Sequence, residues 1–286
     1  NLYDSIIFEG ILYIDIKAIT LVLENISNVS YKLNDTLYEL NQEEIKEQKI
    51  ETSKDGYRKS TKYDSTIRDF KDFLSALYEF KEIIDSRALK LFNTPFMILD
   101  GEAGIGKSHL LADVVNERIL ENSNSIFLLG QHFRESKNPW SQILDLLDMN
   151  KFSKDEFLSA LNTKAEVKNK RLIIFIDAIN EGKGRDFWND FLISFIETIK
   201  KYEWLGLVLS VRSSYFDLII PKKVFENNLV LPITHFGFQG IEYGASSLYF
   251  KNYNILQPSI PLLHPEFSNP LFLKLFCEGL NKKGYT

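Results

Sequence analysis

At 286 residues, with 44% apolar and 13% aromatic side chains, the chain can bury a sizeable core and has room for one large domain or a domain with an appendage. Its formal net charge of -5 argues against a dedicated nucleic-acid binder but leaves room for a local basic face. A single cysteine, Cys277, excludes an internal disulfide and fits a reducing cytoplasm, and no apolar run reaches the length of a membrane helix.

No signal-peptide pattern opens the chain. It begins at Asn1 rather than Met and stops in "NKKGYT" just after a helical pattern, which we read as a fragment of a longer protein. In the first 40 residues Ile16, Ile19, Leu23 and Ile26 recur at three- and four-residue spacing, predicting a helix. The charged stretch 41 to 62 reads as a solvated helix end followed by a linker. A second amphipathic helix is predicted around Phe70, Phe73, Leu74, Leu77 and Phe80.

From residue 95 the texture changes. Five apolar runs, "FMILD" (96–100), "SIFLLG" (125–130), "LIIFID" (172–177), "GLVLSV" (206–211) and "NLVLPI" (228–233), alternate with helical patterns. Strands apolar on both faces with helices between them imply a parallel α/β sheet. One of those helices, "DFWNDFLISFIETIKKY", carries Phe187, Phe191, Phe195 and Ile199 every four residues, a core-packing pattern. After about residue 236 only helical stretches remain, around "IEYGASSLYFKNY" and "PLFLKLFCEGL". The expected division is a helical connector over 1–62, an α/β core over 63–235 and a small helical subdomain over 236–286.

"GEAGIGKS", residues 101 to 108, matches G-x-x-x-x-G-K-[ST] between a predicted strand and a predicted helix, the context that the phosphate loop requires. Gly101, Gly104 and Gly106 let the backbone turn tightly, and with Glu102, Ala103 and Ile105 they aim N–H groups at phosphate oxygens. Lys107 brings a point charge to the β- and γ-phosphates, and the Ser108 hydroxyl is a Mg²⁺ ligand. His109 follows at the head of the helix. We place it among the binding residues by position, although its side chain reads as packing or helix-start.

Such a site needs an acid at the tip of a neighbouring buried strand, and Asp177 ends "LIIFID". Four residues on, Glu181 can polarise the attacking water. Asn180 cannot act as a base, but its amide can position water or hold Glu181. Arg212, after "GLVLSV", can reach the γ-phosphate. His132, His235 and His264 show no metal-ligand spacing to one another or to Cys277.

The four pieces "GEAGIGKSHLLAD", "FIDAINEGKGRDFW", "LVLSVRSSY" and "HPEFSNPLFLKLFCEGL" stand in this order over roughly residues 64 to 280. With them the chain resembles the STAND-class P-loop NTPases, the group that includes NACHT proteins, and most closely the central ATPase module of bacterial and archaeal antiviral STAND (Avs) proteins. The resemblance implies an ASCE-type fold, ATP and Mg²⁺ as ligands, and a slow ATPase switch between an effector and a sensor outside this chain. It also implies recognition of a phage protein by that sensor, homo-oligomerisation (in the family commonly to a tetramer, the subunit number here being open), nucleic acid reached only through the effector, and no membrane. By motif, Lys107 and Ser108 carry over to the phosphate loop, Asp177 to the metal, Glu181 to the catalytic acid and Arg212 to the sensor arginine. Pro270 carries over to the adenine contact, although the glycine usual before it is absent. Two other readings stand beside the switch: an ATP-dependent assembly scaffold that hydrolyses little, and a nucleic-acid-linked motor on the same core. One acid rather than two after the strand points to modest hydrolysis.

Overall fold

The structure, a computed structural model, describes residues 13–47, 60–226, 229–256 and 265–282. Packing divides the chain into two units, Tyr13–Asn93 and the remainder from Thr94 onward. The sequence-based boundary at 62/63 precedes the second helix, whereas packing groups that helix with the first.

In the N-terminal unit, α1 (Ile16–Glu47) lies along α2 (Asp64–Asp85), and α3 (Arg87–Asn93) follows. The predicted stripes are wider than the observed seam. Leu23 of α1 and Ile67 and Ile84 of α2 are buried, but Ile26, Phe73 and Phe80 are exposed. A helix with one partner buries a narrow seam, not a full face. Polar groups close the hairpin: Asn41 is buried, accepts from Thr61 Oγ1 and donates to Asp64 Oδ1. At the other end Asn93 exchanges two hydrogen bonds with the backbone of Ile14. The helix reaches Glu47, and the linker expected after it lies largely outside the described residues.

The second unit is built on five parallel strands, β1 (Phe96–Gly101), β2 (Ser125–Leu129), β3 (Leu172–Asp177), β4 (Leu205–Arg212) and β5 (Leu231–Thr234), in the order β2-β3-β4-β1-β5. This is the expected P-loop, ASCE-type sheet, with β4 inserted between the phosphate-loop strand and the acidic strand. Among the described residues β5 pairs with β1 alone, and as an edge strand it tolerates Pro232. It begins three residues later than its apolar run suggested, because Leu229 and Val230 are buried in the approach to the strand.

Alternate strand residues serve the two faces. Leu99 and Phe175 meet Leu111 and Val115 of α4 (Lys107–Leu120) on one side. Ile98, Ile174, Ile176, Leu207 and Leu209 meet the larger core on the other. That core is supplied by α5 (Pro139–Leu146), α6 (Lys154–Val167) and α7 (Gly184–Lys200). α7 buries Phe187, Phe195 and Ile199 as its spacing predicts; Trp188, Leu192 and Ile196 join them, and Phe191 is only half-buried. Two one-turn helices, α8 (Phe216–Ile219) and α9 (Lys223–Glu226), lead from β4 to β5.

The C-terminal helices α10 (Glu242–Asn252) and α11 (Pro270–Lys282) form around their own small cluster of Ala245, Phe250, Phe267, Leu273 and Cys277. Burial pushes the Cys277 thiol pKa up, as suits a packing residue. Among the described residues no helix is long and apolar enough to cross a membrane.

Candidate functional site

Sheet register brings the predicted residues together. Gly101 at the end of β1 pairs with Arg212 at the end of β4, and Ile176, just before Asp177, pairs with Leu209. Parallel strands put all these carboxyl ends on one edge, where ligands bind in open α/β sheets. A cleft of ≈ 630 Å³ opens there, bordered by residues 103–109, Asp177, Glu181, Arg212 and Pro270. Gly101 and Glu102 lie outside its lining and contribute through their carbonyls.

The loop between β1 and α4 turns through Gly104 at φ 74° and Gly106 at φ 99°, conformations that an L side chain adopts only under strain. Gly104 is constrained twice, since a Cβ there would lie 2.9 Å from the Leu271 side chain. Gly104→Ala is therefore expected to destabilise the fold by about 1–2 kcal/mol. Thermal unfolding checks this, and an unchanged Tm would show that the loop is not held in this form.

Lys107 is buried, and its Nζ donates to the carbonyl oxygens of Gly101 at 2.5 Å and Glu102 at 2.9 Å. Burial, and then the Arg212 guanidinium, hold the Lys107 pKa below its usual value; Asp177, Asp100 and Glu102 pull the other way. Two cations facing one cleft favour an anion between them. Ser108 and His109 are exposed at the head of α4 and border the same cleft, as does Pro270 at the head of α11.

Asp177 is 5% exposed, and its Oδ1 accepts a 2.5 Å hydrogen bond from Ser210 Oγ. The chain then turns through Ala178 at φ 53°, a left-handed residue costing about 1–3 kcal/mol. The turn is stitched to the end of β4. Ala178 N donates to Ser210 Oγ, Ile179 N donates to the Ser210 carbonyl, and Arg212 N donates to Asn180 Oδ1 at 3.0 Å. Asn180 is buried and spends its carbonyl on the β4 backbone; it fixes the turn from which Glu181 projects. Glu181 Oε1 pairs with Arg212 Nη2 at 2.9 Å, both side chains being partly exposed.

Three neighbours of the cleft are not assigned to it from sequence, His235 being weighed there only as a metal ligand. Ser210 is the one polar residue inside the otherwise apolar run "LGLVLSV", the only signal it gives. His235 follows β5; its backbone donates to the Asp100 carbonyl and its imidazole lies beside the loop. Burial holds the His235 pKa below its usual value, opposed by a hydrogen bond to the Ile105 backbone and reinforced by Lys107. Asn269 donates to the Ala103 carbonyl and caps α11 by accepting from Leu271 N and Phe272 N, while Leu271 N also reaches the Gly104 carbonyl. The signal for Asn269 was the Asn-Pro pair of "SNPLF", a helix-start pattern. Among the described residues no three His, Cys, Asp or Glu side chains converge as a metal cage, and His264 lies outside them.

No family model matches the chain, and no curated protein sequence matches it. Among solved structures it is similar to a DNA replication initiation factor at 15% identity and TM-score 0.44, over 66% of this chain and 56% of that chain. AMPPCP-bound DnaA from Aquifex aeolicus gives 12% and 0.43 over 66% and 56%, and a Walker-type ATPase of Pyrococcus abyssi 18% and 0.45 over 68% and 65%. The match thus takes in less than two thirds of each of these chains.

Proposed function

We propose that the chain binds and hydrolyses ATP as a STAND-type switch. The observation that carries this reading is the convergence of Lys107, Ser108, Asp177, Glu181 and Arg212 on one cleft at the carboxyl edge of the sheet. Lys107 exchanges its two loop carbonyls for the β- and γ-phosphate oxygens of ATP, joined by the N–H groups of 102–108. Ser108 and Asp177 offer a hydroxyl and a carboxylate on the same cleft, a donor set that suits Mg²⁺, which takes few protein ligands and keeps phosphate and water. Bound there, the ion would neutralise charge on the phosphates. Glu181 receives a proton from the attacking water, and Arg212 faces the developing charge. Pro270, on the border of the same cleft, is the adenine contact in this reading.

In the same reading 63–235 is the NTPase core, 236–286 the start of a lid and 1–62 the connector to an effector. A phage protein bound by a sensor triggers homo-oligomerisation. The four motif pieces named above support this finer assignment. The Glu181–Arg212 ion pair favours a second reading, an ATP-dependent scaffold that turns over little, because the Glu181 carboxylate is already engaged.

Phosphate release from ATP and from GTP, with Mg²⁺ and with EDTA, tests the chemistry. Absence of phosphate release from either nucleotide under every condition sinks it. Mass photometry of the full-length protein with ATP and phage proteins tests the switch, and failure to assemble with any of them removes the defence role.

A further inference from the structure

The geometry points to Ser210 as the residue that positions Asp177 for a divalent cation, an inference that rests on the nucleotide reading above. Ser210 is 0% exposed, in a strand otherwise apolar up to Arg212. An alanine or valine would suit the sheet at this position, and a buried hydroxyl is tolerated only when bonded. Here it is bonded both as donor and as acceptor. The hydroxyl has one proton, which goes to Asp177 Oδ1, and its lone pair receives the Ala178 N–H at 2.7 Å.

The carboxylate at the strand tip is thereby tied to β4, and its oxygens are aimed by a neighbouring strand as well as by its own rotamer preference. The left-handed turn at Ala178 is tied to the same oxygen atom. Ser210 also precedes Arg212 by two residues, and Ile179 N–H closes on its carbonyl at 2.9 Å. One residue therefore sets the relative placement of Asp177 and of the turn bearing Glu181. Partners that orient metal ligands are worth 10–100-fold in metal affinity or activity when removed, so an effect of about that size is expected here.

The test uses the full chain and a fluorescent, non-hydrolysable ATP analogue, titrated with Mg²⁺ and in EDTA. In Ser210→Ala the Mg²⁺ concentration giving half of the metal-dependent tightening should rise about 10–100-fold, with affinity in EDTA unchanged. Ser210→Thr, which keeps the hydroxyl and suits a strand, should restore the wild-type Mg²⁺ response. If Ser210→Ala does not fold, Ser210→Cys keeps the volume with a weaker donor and carries the same expectation. An unchanged Mg²⁺ response overturns the inference. So does an equal loss of affinity with and without Mg²⁺, which would mean that Ser210 only supports the backbone. These outcomes leave the nucleotide reading standing, whereas a wild type that binds no nucleotide in either condition removes both.

Discussion

Replacing Lys107 with alanine is expected to lower ATP turnover by about 10²–10³-fold, the usual effect of deleting one preorganised donor to developing charge. The same variant should lose the rise in Tm that nucleotide gives the wild type, without a lower Tm of its own. The two halves follow from one geometry. In the proposed site Lys107 is the cation of the phosphate loop, and among the described residues its Nζ donates to two carbonyls of its own loop, Gly101 and Glu102. Its stabilising partner is therefore the ligand.

The sign of its pKa shift agrees. Burial and Arg212 lower it, so keeping Lys107 protonated costs the folded state more than the unfolded chain. That penalty is complete below the lowered folded value and is relieved as pH climbs from there towards the ordinary 10.5. Lys107→Ala removes the penalty along with the charge. Differential scanning fluorimetry with and without ATP and Mg²⁺ reads both. A Tm well below wild type in the free protein would mean that Lys107 holds the loop together rather than waiting for an anion.

The parts of the site that sequence made legible are those written in contiguous residues. A phosphate loop spells out its strand, turn and lysine within a few positions, and "LIIFID" announces a buried strand with an acid at its tip. The central strands β1, β3 and β4 were readable because a parallel sheet covered on both faces needs unbroken apolar runs, whereas the edge strand β5, half exposed, matched its run only in part. What stayed hidden depends on register. Nothing local says that Ser210 lies beside Asp177, that Asn180 turns its carbonyl to Arg212, or that Asn269 reaches the Ala103 carbonyl across more than half of the chain. The helical hairpin was overread for a related reason. Periodicity gives the apolar face of a helix but not how much of it a partner covers, so Phe73 and Phe80 fall outside the seam.

Glu181→Gln decides between the switch and the scaffold. The amide keeps the shape and can still accept from Arg212, but it cannot take a proton from water. If Glu181 is the base, phosphate release should fall by about 10²–10⁴-fold while ATP affinity stays near wild type. The resting pair with Arg212 does not contradict this. With both side chains partly exposed, the pair contributes roughly 0–1 kcal/mol, little enough for a γ-phosphate to draw Arg212 away and free the carboxylate. Arg212→Ala should accordingly weaken binding of the triphosphate more than of the diphosphate. Single-turnover phosphate release and ATP-dependent assembly, measured side by side, separate the readings. If wild type and Glu181→Gln are equally inert and assemble equally well, hydrolysis has no part in the switch and the ion pair is the working state of a scaffold. If only the variant accumulates as an ATP-bound assembly, Glu181 is the residue that lets the assembly reset.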